Sequence, residues 1–182
     1  FEYAKKTGRK KVTMTDKHNA VRFGGGLWKR TFEALKPQYP DIVAEHLFVD
    51  VAAMEFVRHP ERFDVVVANN LFGDILTDLG SALMGGLGLA ASANIHPGRI
   101  GLFEPVHGSA PDIAGKGVAN PLAAFSTAAL MLDFLDASAE ARLIDDAVRA
   151  CLKRGPRTPD LGGQGKTGDV TEFVLDELAR TL

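Results

Sequence analysis

Cysteine is nearly absent from this sequence: Cys151 stands alone among 182 residues. A single thiol excludes an internal disulfide framework and fits a reducing compartment, so a cytoplasmic protein is expected. Charge of one sign is also missing. Twenty-one basic against 23 acidic residues leave a formal net charge of −2, with no electrostatic case for nucleic acid or an acidic membrane surface as partner. No apolar run approaches the ~20 residues of a transmembrane helix. The opening segment FEYAKKTGRKKV is charged and amphipathic, not the apolar core of a signal peptide. It also lacks an initiator methionine and reads as the middle of a helix, so the chain is expected to be a fragment with a segment upstream. Internal repeats and low-complexity tracts are lacking, and no P-loop is present, which argues against a plain phosphate-binding α/β protein.

What is present is ordinary material for a sizeable core. Apolar residues make up 46% and charged residues 24%, in the range of globular domains. The pattern predicts alternating helices and strands. FEYAKKTG reads as a helix closed near Gly8, KKVTMTD as a strand over about residues 10–15, and LWKRTFEALKPQYP as a helix after the glycines at 24–26. IVAEHLFV is a second strand, after which Asp50 is placed as N-cap of VAAMEFVRH. Residues 64–69, DVVVAN, form a short continuous apolar run of the kind found in buried parallel strands. LFGDILTDLGSALM is the next helix. This alternation predicts an α/β fold with a largely parallel sheet and flanking helices. Residues 86–119 are rich in small and polar residues and are expected to lack regular structure. NPLAAFSTAALMLDFLD, apolar nearly all round and so expected to be buried, then begins a run of three helices.

Three stretches carry candidate chemistry. Asp74 and Asp78 lie four residues apart, which stacks both carboxylates on one helix face. They repel there by about 0.2–0.5 kcal/mol in an isolated helix. They form either a solvated face or two ligands of a cation. Asp50, at the end of a strand, is a candidate third ligand. Oxygen-only donors favour a hard ion such as Mg²⁺ or Mn²⁺. In TDKHNA, Lys17 ends a strand and is either an ordinary solvated lysine or a group that moves protons beside the metal. Asn19 offers a neutral hydrogen bond, and His18 is read as a neighbour. In EPVHGSAPDIAGKGVANP, Gly108, Gly115 and Gly117 allow close backbone approach to a ligand. Asp112 is suited to a ribose diol and would favour NAD over NADP. This stretch does not spell the GxGxxG fingerprint, none is expected elsewhere in the chain, and a rigid structural loop is the competing reading.

Taken together, VTMTDKHN, FVDVAAM, NNLFGDILTDLGSALMGGLGLAASANI, FEPVHGSAPDIAGKGVANP and PRTPDLGG resemble, in order and spacing, the C-terminal half of the metal-dependent β-decarboxylating dehydrogenases. These include the 3-isopropylmalate, isocitrate, homoisocitrate and D-malate/tartrate dehydrogenases, and the resemblance leans toward the isopropylmalate enzymes. It implies an isopropylmalate dehydrogenase-like fold with two domains, each only partly present. Residues 1–84 would belong to the smaller, dimer-forming domain and residues 85–182 to the NAD-binding domain. It implies that Asp50, Asp74 and Asp78 hold Mg²⁺ or Mn²⁺. Lys17 and Asp50 would act in catalysis and, with Asn19, bind substrate. Lys17, Asn19 and Asp50 would reach across a homodimer interface. NAD would contact Glu104 and the run His107, Gly108, Ser109, Ala110, Pro111, Asp112, Ile113, Ala114, Gly115, Lys116, Gly117, Val118, Ala119 and Asn120. NADP-using isocitrate dehydrogenases of the bacterial type carry Lys-Tyr where this chain has Asp112-Ile113.

The implied reaction oxidises a small 2-hydroxy acid by hydride transfer to NAD, then releases its 3-carboxylate as CO₂. The resemblance also implies an upstream half bearing substrate-binding arginines and a catalytic tyrosine. The chain alone is therefore expected to be inactive and, with unpaired sheet edges, poorly stable. Ala20 stands where isopropylmalate dehydrogenases carry a valine against the substrate's isopropyl group. D-malate/tartrate and homoisocitrate therefore stay open beside 3-isopropylmalate, as does a non-catalytic remnant.

Overall fold

A computed structural model of the protein describes residues 1–96, 98 and 100–181. The chain divides into two compact units, Phe1–Gly80 and Ser81–Leu182. The division falls inside a helix, a few residues before the 84/85 boundary expected from the sequence.

The first unit is built on β1 (Lys11–Asp16), preceded by α1 (Glu2–Lys6). Asp64 anchors the start of this strand, accepting from the backbone N–H groups of Lys10 and Lys11 at 3.0 Å each. β1 is the central strand of a parallel sheet of order β2-β1-β3, with β2 at Val43–Phe48 and β3 at Val65–Ala68. Lys11 pairs with Val43 and Asp16 with Phe48 on one side, and Val12 pairs with Val65 on the other. Central position explains burial: Val12, Thr13, Met14, Thr15 and Asp16 are all buried, whereas β2 and β3 are only partly so. Val12, Met14, Ala4 and Phe32 form the core of this unit. DVVVAN is thus a parallel strand as expected, but it lies at an edge among the described residues and is half-buried.

α2 (Arg22–Leu35) crosses from β1 to β2, and α3 (Val49–Arg58) from β2 to β3. Two local expectations are corrected here. The glycines at 24–26 lie within α2 rather than before it. Gly25 is buried, and a Cβ there would sit 2.7 Å from the His18 Cα. The glycine lets the helix press against the turn after β1, and so it serves packing. Asp50 is not the N-cap of α3. Phe48 occupies that position in extended geometry, and Asp50 sits in the first helical turn, where a carboxylate suits the helix dipole.

α4 (Asn70–Leu83) leaves β3 and runs across the division of the chain. The second unit continues with β4 (Ala91–Ile95) and β5 (Gly101–Pro105), an antiparallel pair with Ala91 opposite Pro105. This pair corrects the expectation that 86–119 lacks regular structure. Small residues that read as loop serve here as close-packing strand positions. Gly101 is pressed against Phe103, whose ring a Cβ at 101 would meet at 2.7 Å, and Phe103 in turn meets Phe134 at 5.4 Å. α5 (Leu122–Phe134), α6 (Ser138–Arg154) and α7 (Thr167–Thr181) complete the unit. Leu122, Ala147, Val148, Cys151, Val170 and Val174 form its core. α5 is buried along one side only, and its Met131 is exposed.

Candidate functional site

All three parallel strands run in one direction, so the segments leaving their carboxyl ends emerge at the same sheet edge. In open α/β sheets ligands bind beyond the carboxyl ends of the strands. Lys17 and Asn19 come after β1, Asp50 after β2, and Asp74 lies in the helix after β3.

Lys17 Nζ donates to Asp50 Oδ1 at 2.6 Å and lies 5.3 Å from the centre of the Phe48 ring. The hydrogen bond from Lys17, assisted by the backbone N–H groups at the start of α3, holds the Asp50 carboxyl below the usual carboxylate range. Asp50 is nonetheless 63% exposed, so one face of the pair is open to a ligand. Asn19 is exposed in the turn after β1. Asp74 and Asp78 are both exposed on α4, and Asn70 Nδ2 donates to Asp74 Oδ2 at 3.1 Å. The set Asp50, Asp74 and Asp78 supplies only oxygen donors, in keeping with a hard cation. Within one chain, however, these three do not come together. Among the described residues, the group of histidine and acidic side chains with ligand atoms within 4.8 Å of one another is Asp16, His18 and His46.

That cluster was not anticipated. Asp16 has no exposed surface. His18 Nδ1 donates to Asp16 Oδ1 at 2.9 Å, and His46 Nε2 donates to the same oxygen at 2.7 Å. Burial pushes the Asp16 carboxyl up, but the two imidazole hydrogen bonds outweigh it and bring it below its ordinary value. The alternation in Met14-Asp16 and in His46-Phe48 was the available sequence signal; the sheet register, seen only in the fold, sets the two side by side.

The second unit holds a cavity of about 740 Å³. Much of the expected NAD-contacting run lines it: His107 to Ala110, Ile113 to Gly115, and Gly117 to Asn120. Glu104, Pro111, Asp112 and Lys116 lie outside that lining. Glu104 is in β5 opposite Ser92, and Asp112 is exposed in a 3-10 turn over Pro111–Ile113. Ala110 takes a left-handed φ of 43°, and Gly115 and Gly117 have φ of 75° and 64°. These turns carry the chain around the cavity. Gly88, Pro159, Asp160 and Thr167 also line it and were not foreseen.

Asn120 is the joint of this wall. Its Oδ1 accepts from Leu122 N–H at 3.0 Å, and its Nδ2 donates to Asp160 Oδ2 at 2.9 Å. Asp160 also accepts from the buried Thr158 hydroxyl at 2.5 Å. Thr167 closes the same side, donating from N–H to Gly117 O at 2.8 Å and from Oγ1 to Ala119 O at 2.5 Å. A cavity with glycine-rich walls and few fixed polar groups suits a cofactor of dinucleotide chemistry. The run Gly163–Gly168 does spell GxGxxG. It precedes α7 without a strand before it, so it lacks the strand–turn–helix setting that gives that pattern its meaning.

The first unit is thus an α/β fold with a parallel sheet and a lysine–carboxylate pair at the strands' carboxyl edge, and the second unit holds a glycine-lined cavity. The sequence profile of the isocitrate/isopropylmalate dehydrogenase family matches residues 1–174, and the chain belongs to that family. It is 53% identical over 181 residues to a 3-isopropylmalate dehydrogenase of Streptomyces griseus, covering 98% of this chain and 50% of the relative. It is 50% identical over 182 residues to a homoisocitrate dehydrogenase of Methanocaldococcus jannaschii, covering 100% of this chain and 52% of the relative. The crystal structure of an isocitrate dehydrogenase from Methylococcus capsulatus superposes with a TM-score of 0.92 at 43% identity, over 97% of this chain and 53% of that one. The chain thus spans about half the length of the relatives it matches.

Proposed function

We propose that the chain supplies half of an NAD- and Mg²⁺/Mn²⁺-dependent dehydrogenase that oxidises a 2-hydroxy acid and releases its 3-carboxylate as CO₂. The substrate we infer is 3-isopropylmalate, as in leucine biosynthesis. The observation that carries this reading is the 2.6 Å Lys17–Asp50 pair, open to solvent at the carboxyl edge of the sheet, in a chain matched to the family over residues 1–174. The domain reading is that residues 1–84 belong to the smaller, dimer-forming domain and residues 85–182 to the NAD-binding domain. A cytoplasmic homodimer with a shared active site is part of the same proposal. It accounts for Asp50 standing apart from Asp74 and Asp78 in a single chain.

In this reading Lys17 holds or moves a proton at Nζ. Asp50 keeps that ammonium in place, and the Phe48 ring covers one side of it. Asn19 offers substrate a neutral hydrogen bond. Asp50, Asp74 and Asp78 would hold the cation, which when bound supplies Lewis-acid polarisation of the substrate oxygen. The 107–120 loop would hold NAD, with Asp112 against the ribose and Asn120 near the adenine.

A second substrate, homoisocitrate, is favoured by the identity to the M. jannaschii relative and by the small side chain at Ala20. The test is NADH formation by the full-length protein with Mn²⁺, offered 3-isopropylmalate, homoisocitrate, isocitrate, D-malate and tartrate in parallel. A clear preference for 3-isopropylmalate is expected. Preference for homoisocitrate would select the second substrate. Failure to turn over any of the five while metal and NAD still bind would overturn the reading.

A further inference from the structure

Asp16 is the one charged side chain among the described residues with no exposed surface, and it directly precedes Lys17. Burying a lone carboxylate is costly, and two imidazole N–H groups offset that cost. Packing alone would be served as well by an apolar side chain at this place. What the carboxylate does is hold two rings. The sheet register sets Asp16 beside Phe48 and Met14 beside His46, so Asp16, His46 and Phe48 share a face, and His18, two residues past the strand, reaches back to Asp16. The Phe48 ring lies 5.0 Å from His18 and 5.2 Å from His46, and Lys17 Nζ lies 5.3 Å from its centre. Lys29 Nζ approaches His18 Nε2 at 3.5 Å. The Asp16 carboxylate only accepts, so His18 Nδ1 carries the proton that meets it.

We propose that Asp16 is a positioning residue: by gripping His18 and His46 it fixes the Phe48 ring, and the ring holds the Lys17 ammonium on Asp50. This rests on the reading above that Lys17 is the proton-transfer group. A lysine side chain is among those with the most rotamer freedom to lose. An aromatic face on one side and a carboxylate on the other remove most of that freedom before substrate arrives.

The test uses the full-length protein. Asp16→Asn keeps the volume but removes the negative charge: one neutral carbonyl is left for both imidazole N–H groups, and the amide NH2 faces the His18 N–H that Oδ2 also meets at 3.1 Å. It should lower kcat about 10- to 100-fold and leave KM for NAD unchanged. His46→Gln keeps an N–H near the position of Nε2 and should retain most of kcat. His46→Leu removes that donor and should lose kcat as Asp16→Asn does. Long-range ¹H–¹⁵N spectra of the histidine rings should show His18 protonated at Nδ1 and His46 at Nε2. The proposal is overturned if Asp16→Asn and His46→Leu turn over like the parent, if kcat falls only in step with the folded fraction, or if either tautomer is reversed. Lys17→Met separates the two layers. Parental turnover by that variant defeats the underlying reading of Lys17, whereas the histidine tautomers report on Asp16 whether or not the enzyme is active.

Discussion

Replacing Gly88 with alanine tests how the wall of the second cavity is assembled. A Cβ at position 88 would stand 2.5 Å from Asp160 Oδ2, 3.0 Å from Asn120 Nδ2 and 3.1 Å from Asn120 Cβ. The Asp160 carboxylate cannot simply swing aside, because it accepts from Thr158 at 2.5 Å and from Asn120 at 2.9 Å. Overpacking of this kind costs about 1–3 kcal/mol. Forcing the carboxylate away also removes hydrogen bonds to a charged group, each worth about 1.5–3 kcal/mol. Asp160 is itself exposed, so water recovers part of that loss and a total of about 1–3 kcal/mol is expected. Urea unfolding of the parent, Gly88→Ala, Asp160→Ala and the double variant forms a complete cycle. With the carboxylate already gone, Gly88→Ala loses its worst clash and keeps only the milder approaches to Asn120, so the two substitutions should couple by about 1 kcal/mol or more. Since Asn120 and Asp160 both line the cavity, Gly88→Ala should also weaken the NAD binding proposed for it, readable by calorimetry. Additivity within about 0.5 kcal/mol would refute the idea that Gly88 is small in order to admit Asp160.

Other substitutions separate stability from activity. Lys17→Met removes the partner of a mostly exposed carboxylate, so stability should change little, while the proposed turnover should fall ~100-fold or more; thermal unfolding beside steady-state kinetics reads both. Burial pushes Glu45 up, but hydrogen bonds from Lys11 and Thr13 with the Arg62 charge bring it below its ordinary 4.5. The unfolded chain therefore takes up this proton first. The stability Glu45 contributes is complete above the ordinary value and is lost as pH falls through the lower folded one. Glu45→Gln should flatten the acid side of a stability–pH profile there, and an unchanged slope would contradict the network. Cys151 is 1% exposed and burial pushes its thiol up, so a thiol reagent should label it only at the rate at which α6 opens. Prompt labelling of the native protein would refute its packing against Val170 and Val174. Leu122→Ala in the same core should cost about 2–5 kcal/mol, measured by denaturant unfolding.

Much of the architecture was legible because it is written in local pattern. The period-two strand around Val12 and Met14, the apolar run before Asn69 and the helical faces of α6 and α7 each arise from side-chain spacing alone. Residues that read wrongly did so for a common reason. Gly25 looks like a helix breaker, yet its lack of a Cβ is needed where the helix meets His18. Gly101 and the small residues of β4 look like loop, yet they pair because α5 and Phe103 cover them. In each case a tertiary contact overrode the local preference.

The candidate site divides along the same line. Residue type and spacing single out Lys17, Asp50, Asp74, Asp78 and the glycine-rich run after Glu104, since donor chemistry and backbone freedom belong to the residues themselves. Only the folded chain could show that Lys17 closes on Asp50, 33 residues away. The same holds for Asp160, which reaches back 40 residues to Asn120. Asp16 gathers two histidines, one of them 30 residues distant. A parallel sheet brings the ends of separate strands to one edge, and the register of that pairing, which no single segment encodes, decides which side chains meet there.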